Sequence, residues 1–158
     1  MTFQSRLERV LLTLWIGGVW AIGYLATPTL FAMLDDRQLA GELAGRMFQI
    51  IYIIGLFCGA LLLAGIVFQQ GLRSLRRWRS IVLVVIWLLV AVSYFVLQPM
   101  MVDLKAQGAL LAGSDPATAF GRLHGAASIL YLLTSLGGLV LVAFGHRQSN
   151  NEFSLFRK

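Results

Sequence analysis

Polar side chains gather at one end of the predicted transmembrane helices, and their types suit the binding of an anion. The group combines guanidinium forks, side-chain amides, a phenol and an imidazole. These candidate site residues are Tyr24, Arg46, Gln49, Gln98, Arg122 and His124. A guanidinium offers a planar set of donors that matches a carboxylate or a phosphate. We interpret the group as a shallow polar mouth for an anion or a lipid headgroup; ordinary helix-end polarity is the open alternative.

Two of these candidates lie close together on the fourth predicted helix. Arg122 and His124 are two positions apart, and residues at that spacing do not share a helix face. An arginine buried near the interface costs free energy unless it is paired or reaches water. We therefore expect Arg122 to reach toward headgroups and His124 to face inward, with Gln49 or Gln98 as its neighbour.

Donors for a metal or a haem do not converge in the sequence. The histidines are His124 and His146, 22 residues apart, which corresponds to roughly 33 Å along one helix. Cys58 is the single cysteine, so neither an intrachain disulfide nor a cysteine-based metal site can form. We predict no cofactor and no metal, and a non-enzymatic module that binds a small molecule or lipid, or assists a partner or transport process. A haem-linked or metal-linked membrane redox protein is the alternative.

The composition indicates that the elements holding these residues lie in a membrane. Of 158 residues, 58% are hydrophobic and 13% are charged, with a mean hydropathy of +0.78. Soluble domains carry about 25% charged residues. The net charge of +6 comes from basic residues beside apolar segments, which suits a bilayer and not nucleic acid. The bilayer is thus the expected partner, together with a membrane protein or a second copy of the chain.

Four apolar segments have the length needed to cross a bilayer, about 20 residues each. They cover residues 10–27, 50–68, 81–97 and 126–144. No span carries an ionisable residue at its centre, which argues against a proton relay or a charged ion pump. The sequence predicts an all-α integral membrane four-helix bundle, formed as a single domain by residues 1–158.

The basic residues predict the orientation of the bundle. Nine Lys and Arg residues lie on the side of both termini and of the loop after the second span, and four lie on the other side. Cytoplasmic loops carry the excess of Lys and Arg. Both termini are therefore predicted to be cytoplasmic. The cluster Arg73–Arg79 is expected to anchor the inner leaflet.

The loop after the first span has its own helical pattern. Asp35 can cap a helix, and Gln38 follows three residues later, similar to a capping box. Apolar residues recur at every fourth position over Leu39–Met47, and Glu42 and Arg46 form a favourable pair. This pattern indicates either a short amphipathic helix on the outer surface or an extension of the second span.

Small residues and prolines mark expected contacts and interruptions. The small residues are Gly17, Gly18, Ala21 and Gly23 in the first span, Gly55 and Gly59 in the second, and Gly137 and Gly138 in the fourth. Such residues let membrane helices approach closely. Pro28 and Pro99 are expected to kink or end their helices.

Five motifs resemble one known family. They are LWIGG at Leu14–Gly18, ATPTLF at Ala26–Phe31, AGELAGRMF at Ala40–Phe48, QPMM at Gln98–Met101 and FGRLHG at Phe120–Gly125. In this order they resemble the transmembrane protein 205-like domain, a domain of unknown function common in proteobacteria. The resemblance covers residues 11–144 and implies a four-span protein of the bacterial inner membrane. It implies no established reaction or cofactor.

The four-helix plan is also loosely similar to bacterial copper-resistance membrane proteins and to the membrane-bound protoporphyrinogen oxidase. Both of those use converging histidines, and no second histidine faces His124 in the predicted arrangement. This counts against both similarities.

Overall fold

The protein forms four long antiparallel helices. The computed structural model describes residues 3–107 and 115–144, with side chains from Leu7 onward. Four helices are long and apolar enough to cross a bilayer, and we number them as spans 1 to 4: Leu7–Met33, Arg37–Gln70, Trp78–Ala106 and Asp115–Phe144. Within the described residues there is no strand. The predicted all-α four-span membrane bundle is confirmed, and each helix extends past the predicted span at one or both ends.

Spans 1 and 3 are each built from three consecutive pieces, whereas spans 2 and 4 are regular α-helices. The elements in chain order are α1 (Phe3–Trp20), a π-helical segment (Ala21–Ala26), α2 (Thr27–Met33), α3 (Arg37–Gln70), a 3₁₀ turn (Leu72–Arg76), α4 (Trp78–Val92), a second π-helical segment (Ser93–Leu97), α5 (Gln98–Ala106) and α6 (Asp115–Phe144).

Each π-helical segment ends immediately before a residue–proline pair. The backbone N–H of Thr27 donates to the carbonyl of Ile22, and that of Gln98 donates to Ser93, in both cases five residues back. Pro28 and Pro99 follow and have no N–H to donate. Neither proline ends its helix, because the wider π turn takes up the interruption and the chain continues helically.

The segment after span 1 is the beginning of span 2. The cap is Asp36 and not the predicted Asp35: its carboxylate accepts from the backbone N–H groups of Gln38 and Leu39 at 2.8 and 3.1 Å. From there α3 runs unbroken through Arg37–Gln70. A separate outer-surface helix is therefore not formed, and the alternative of an extended second span is confirmed.

The face that this extension buries also differs from the expected one. Ala40 and Ala44 are buried against the bundle, while Leu39 and Leu43 are 45% and 39% exposed. The small residues let the helix start lie close to its neighbours, and the leucines are left to face lipid. The predicted pair of Glu42 and Arg46 is confirmed at 3.0 Å.

The four spans form a ring in which neighbours in sequence are neighbours in space. Spans 1 and 3 each pack against spans 2 and 4, so spans 1 and 3 lie diagonally opposite. Short connections between consecutive helices favour this antiparallel arrangement. Trp15, Val19, Ile86 and Val90 are almost fully buried at the centre.

Six of the seven glycines predicted as contact points, all except Gly17, accommodate large side chains from neighbouring helices. Gly55 lies against the indole of Trp15, and Gly59 lies against the indole of Trp87. The Trp87 Nε1–H donates to the carbonyl of Leu56 at 2.9 Å. These glycines create space for tryptophan rings between the helices, so they do not bring two backbones into direct contact.

The two ends of the bundle differ in charge. We call the end that carries Tyr24, Gln98 and His124 the outer end. The opposite end carries Arg9 and the 3₁₀ turn Leu72–Arg76, and we call it the arginine-rich end. The outer end corresponds to the side predicted to lie outside the cytoplasm. His146 and Ser114 lie outside the described residues.

Candidate functional site

A cavity of about 700 Å³ opens at the outer end between all four spans. Its volume is in the range of sites for small molecules, about 300–1,000 Å³. The residues that line it recur on one face of each helix. On span 4 the lining residues Phe120, His124, Ala127 and Tyr131 follow each other at intervals of three or four. Each span thus presents one stripe to the cavity.

The cavity has an aromatic floor, which we define as Tyr24, Phe48, Tyr52 and Tyr131. The ring of Tyr131 stands edge-on to Phe48, with centroids 5.0 Å apart, and edge-on to Tyr52 at 6.3 Å. The ring of Tyr24 lies tilted to that of Tyr131, with centroids 6.4 Å apart. Edge-to-face contacts of this kind add to the stability gained from burial. The floor is therefore a pre-formed surface that suits an apolar or ring-containing molecule.

Hydrogen bonds between spans 1 and 4 fix two of the floor rings. The Tyr131 hydroxyl donates to the carbonyl of Val19 at 2.6 Å. The hydroxyls of Tyr24 and Ser135 are 2.8 Å apart. Gly23 has no side chain, and a Cβ there would overlap the ring of Tyr131. Because polar groups in lipid need partners, these bonds hold the phenols in place.

Above the floor, three side chains are stacked on the cavity wall. The imidazole of His124 lies parallel to the ring of Phe120, with centroids 6.0 Å apart. The ammonium of Lys105 lies over the same phenyl ring, 5.5 Å from its centroid. A cation over an aromatic face is attracted by the ring quadrupole. This stack brings a cation and an imidazole to one side of the opening.

The charged groups of the lining leave an excess of positive charge. Arg37, Lys105 and Glu42 all line the cavity, but Glu42 is paired with Arg46 at 3.0 Å. Among the described residues, neither Arg37 nor Lys105 has an ion pair with a carboxylate. The amide of Gln98, which also lines the cavity, has no hydrogen bond to another described residue. These groups are available to an acidic ligand.

The structure divides the six predicted site residues into two sets. Tyr24, Gln98 and His124 line the cavity together. Arg46, Gln49 and Arg122 are exposed and do not line it. The expectation that His124 and Arg122 face different ways agrees with this placement, and of the two expected neighbours of His124 it is Gln98 that shares the cavity. Pro28, four residues after Tyr24, is not part of the lining.

Sequence reasoning missed three of the four floor residues, Phe48, Tyr52 and Tyr131, and the two unpaired cations, Arg37 and Lys105. Tyr131 lies seven residues after His124, and Tyr52 lies four after Phe48, so both pairs share a helix face. This spacing was a usable signal. Arg37 gave no such signal, because it reaches the cavity only where span 2 extends past its apolar segment to begin at Arg37.

The described residues contain no group of three or more His, Cys, Asp or Glu side chains able to hold a metal ion. Cys58 is a buried free cysteine in the middle of span 2, away from the cavity lining. The cavity can therefore offer aromatic surfaces, hydrogen bonds and positive charge, which are groups that bind and orient a molecule.

Comparisons with known proteins address the family of the chain. No curated protein and no solved structure matches it. The resemblance noted in the sequence implied a domain of unknown function, and that expectation is confirmed, whereas the transmembrane protein 205-like label stays a prediction. The matching family profile is described as Domain of unknown function (DUF4149) and covers residues 10–110, so the chain belongs to that family.

Proposed function

We propose that this multi-pass membrane protein is a binding module whose outer cavity takes an amphipathic molecule with an apolar or ring-containing body and an acidic group. The observation that carries the proposal is the cavity of about 700 Å³ shared by all four spans. Its aromatic floor suits the apolar body. Arg37 and Lys105, which have no ion pair within the described residues, suit the acidic group.

The alternative of a haem-linked or metal-linked redox protein has less support. Haem iron and most protein-bound metals take imidazole or thiolate ligands. Within the described part of the chain, His124 is the only histidine and Cys58 the only cysteine. The two lie on different parts of the bundle, since His124 lines the outer cavity and Cys58 does not.

The charge and the resemblance of the protein support a proposal for its location. An excess of basic residues at one end is the pattern of a protein inserted with that end in the cytoplasm. Together with the proteobacterial resemblance, it supports the inner membrane of a bacterium. A second copy of the chain or another membrane protein as partner stays a prediction.

A variant that fills the cavity tests the proposal. Gly45 lines the cavity, and a Cβ there has nothing within 4 Å. Gly45→Leu should therefore be accommodated by the helix while occupying ligand space. Gly121→Leu is the matched control, because Gly121 is equally open and does not line the cavity. The probe is dansyl-labelled undecanoic acid, measured by fluorescence on the purified protein.

We expect Gly45→Leu to weaken probe binding by about tenfold or more, and Gly121→Leu to bind like the parent protein. His124→Ala should weaken binding more than Arg122→Ala, since only His124 lines the cavity. Equal binding by Gly45→Leu and the parent would show that the probe lies elsewhere and would refute the proposal.

A further inference from the structure

A second cavity, also of about 700 Å³, lies at the arginine-rich end. All four spans contribute to it, from Glu8 on span 1 to Val142 on span 4. It is separated from the outer cavity by the packed centre of the bundle, where Trp15 and Ile86 are almost fully buried. The two cavities are therefore separate sites.

The lining of this second cavity is strongly basic. Arg9, Arg77 and Arg79 line it together with a single acidic residue, Glu8, so the lining carries a net charge of +2. Glu8 accepts a hydrogen bond from the amide of Gln69 at 3.3 Å. Within the described residues, no ion pair forms at this end of the bundle that involves Arg77 or Arg79. Positive charge thus surrounds an open space.

Two polar side chains are positioned around that space. The Arg77 Nη1 donates to the Gln70 Oε1 at 2.7 Å, which fixes the guanidinium and leaves its other N–H groups for a ligand. Ser80 lines the cavity and is only 4% exposed. Its hydroxyl has no hydrogen bond to another residue that the structure describes. The hydroxyl is therefore open to a hydrogen-bonding group that enters the cavity.

Apolar residues form the deeper part of the cavity. Leu62, Leu83 and Leu141 line it and are each no more than 5% exposed. Trp78 lines the rim and is 49% exposed, as expected for an indole at a membrane interface. From the rim inward, the lining therefore changes from basic to aliphatic. A phospholipid makes the same change from phosphate to acyl chain.

We propose that this cavity is a binding site for one anionic phospholipid of the leaflet at the arginine-rich end. The lipid phosphate accepts hydrogen bonds from Arg77, Arg79 and the Ser80 hydroxyl. The first part of an acyl chain lies against the buried leucines. Basic pockets between transmembrane helices bind such headgroups in other membrane proteins. A free phosphate ion has the same headgroup chemistry but lacks the acyl chain that the aliphatic part would accept.

The test separates this site from general attraction to the arginine cluster. The purified full-length protein is titrated with phosphatidylglycerol or phosphatidylcholine, and native mass spectrometry measures the fraction with one lipid bound. The double variant Arg77→Gln/Arg79→Gln removes two cavity arginines. The control Arg73→Gln/Arg76→Gln removes the same charge from exposed positions that do not line the cavity.

We expect phosphatidylglycerol to bind about tenfold more weakly to Arg77→Gln/Arg79→Gln than to the parent, and nearly unchanged to the control. Arg79→Gln alone keeps the bond between Arg77 and Gln70, and it should still weaken binding. Equal losses in the two double variants would mean diffuse surface attraction and would overturn the proposal. Binding of phosphatidylcholine as tight as that of phosphatidylglycerol would also overturn it. So would a rise in Tm with inorganic phosphate alone that equals the rise with phosphatidylglycerol.

Discussion

Glycines face tryptophan rings at two helix contacts in the interior of the bundle. The indole of Trp87 on span 3 packs against Gly59 on span 2, and a Cβ at Gly59 would overlap the ring. The same ring donates a hydrogen bond to Leu56 at 2.9 Å. Packing and hydrogen bonding at one residue pair thus depend on the absence of a single methyl group.

This dependence predicts that Gly59→Ala destabilises the protein. Overpacking a filled interior costs about 1–3 kcal/mol, and displacing the Trp87 ring breaks its bond to Leu56 as well. We expect the Tm of the detergent-purified protein to fall by roughly 3–10 °C.

The control for that variant is Gly65→Ala on the same helix. A Cβ at Gly65 meets its nearest atoms at 3.9 Å, which is an ordinary contact. Its Tm should stay level or rise slightly, because alanine favours a helix by up to about 1 kcal/mol over glycine. A Gly59→Ala protein as stable as Gly65→Ala would mean that the indole can move at no cost.

At the scale of elements, the π-helical segments explain how two proline-containing helices stay unbroken. Both segments lie on diagonally opposite spans at the level of the outer cavity, and Tyr24 projects from the first of them. A π turn holds about one residue more than an α turn, so it can absorb an extra residue without rotating the helix beyond it. Thr27 and Phe31, which follow Ala21–Ala26, line the cavity in this arrangement.

Removing one residue should therefore be tolerated better in a π segment than in a regular helix. Deleting Leu25, which is 69% exposed, lets Ala21–Ala26 close into α-helix. Deleting Leu133, which is 49% exposed in regular α6, rotates the rest of span 4 by about 100°. That rotation moves Ser135 and Leu141 out of the interior.

We expect the Leu25 deletion to give a monodisperse protein whose Tm falls by less than about 5 °C, and the Leu133 deletion to abolish folding. Size-exclusion chromatography in detergent and thermal unfolding measure both. Equal damage from the two deletions would show that the π segment has no spare residue.

The sequence was sufficient to predict the four spans, but it was insufficient to predict what happens at the prolines within them. Apolar runs of about 20 residues require helices in lipid, because the backbone has no other partner there. A proline signals a break, but whether the helix ends or widens depends on packing beyond it. At Pro28 the chain continues to Met33. Likewise, Asp35 and Asp36 are equivalent caps in sequence, and the observed choice of Asp36 sets where Arg37 begins the next helix.

At the scale of the whole molecule, the sequence predicted which end of the bundle holds the candidate site. It did not predict which side chains at that end face inward. Charge and polarity placed Tyr24, Gln98 and His124 at one end, and they do share a cavity. Arg122 lies at the same level and faces away. The rotation of each helix about its axis depends on the contacts among all four helices. A single sequence does not show those contacts. The aromatic floor depends on that rotation, so the spacing of Phe48 and Tyr52 indicated a shared helix face but not the direction in which that face points.

The charge difference between the two ends makes a prediction about the molecule in its membrane. Nine Lys and Arg residues lie on the side of the termini and four on the other, which favours an arginine-rich end in the cytoplasm. Two exposed positions report the two sides: Arg76 at the arginine-rich end and Gln107 after α5. Replacing Arg76 leaves eight basic residues against four, so the bias keeps its sign.

In intact cells, a membrane-impermeant maleimide should therefore label Gln107→Cys and leave Arg76→Cys unlabelled until the membrane is permeabilised. Cys58 is the native control, because it is buried and should react only when the protein is unfolded. Labelling of Arg76→Cys from outside, with Cys58 still protected, would mean that the folded bundle is inserted the other way round. The outer cavity would then open to the cytoplasm, and the phospholipid proposed for the arginine-rich end would come from the opposite leaflet.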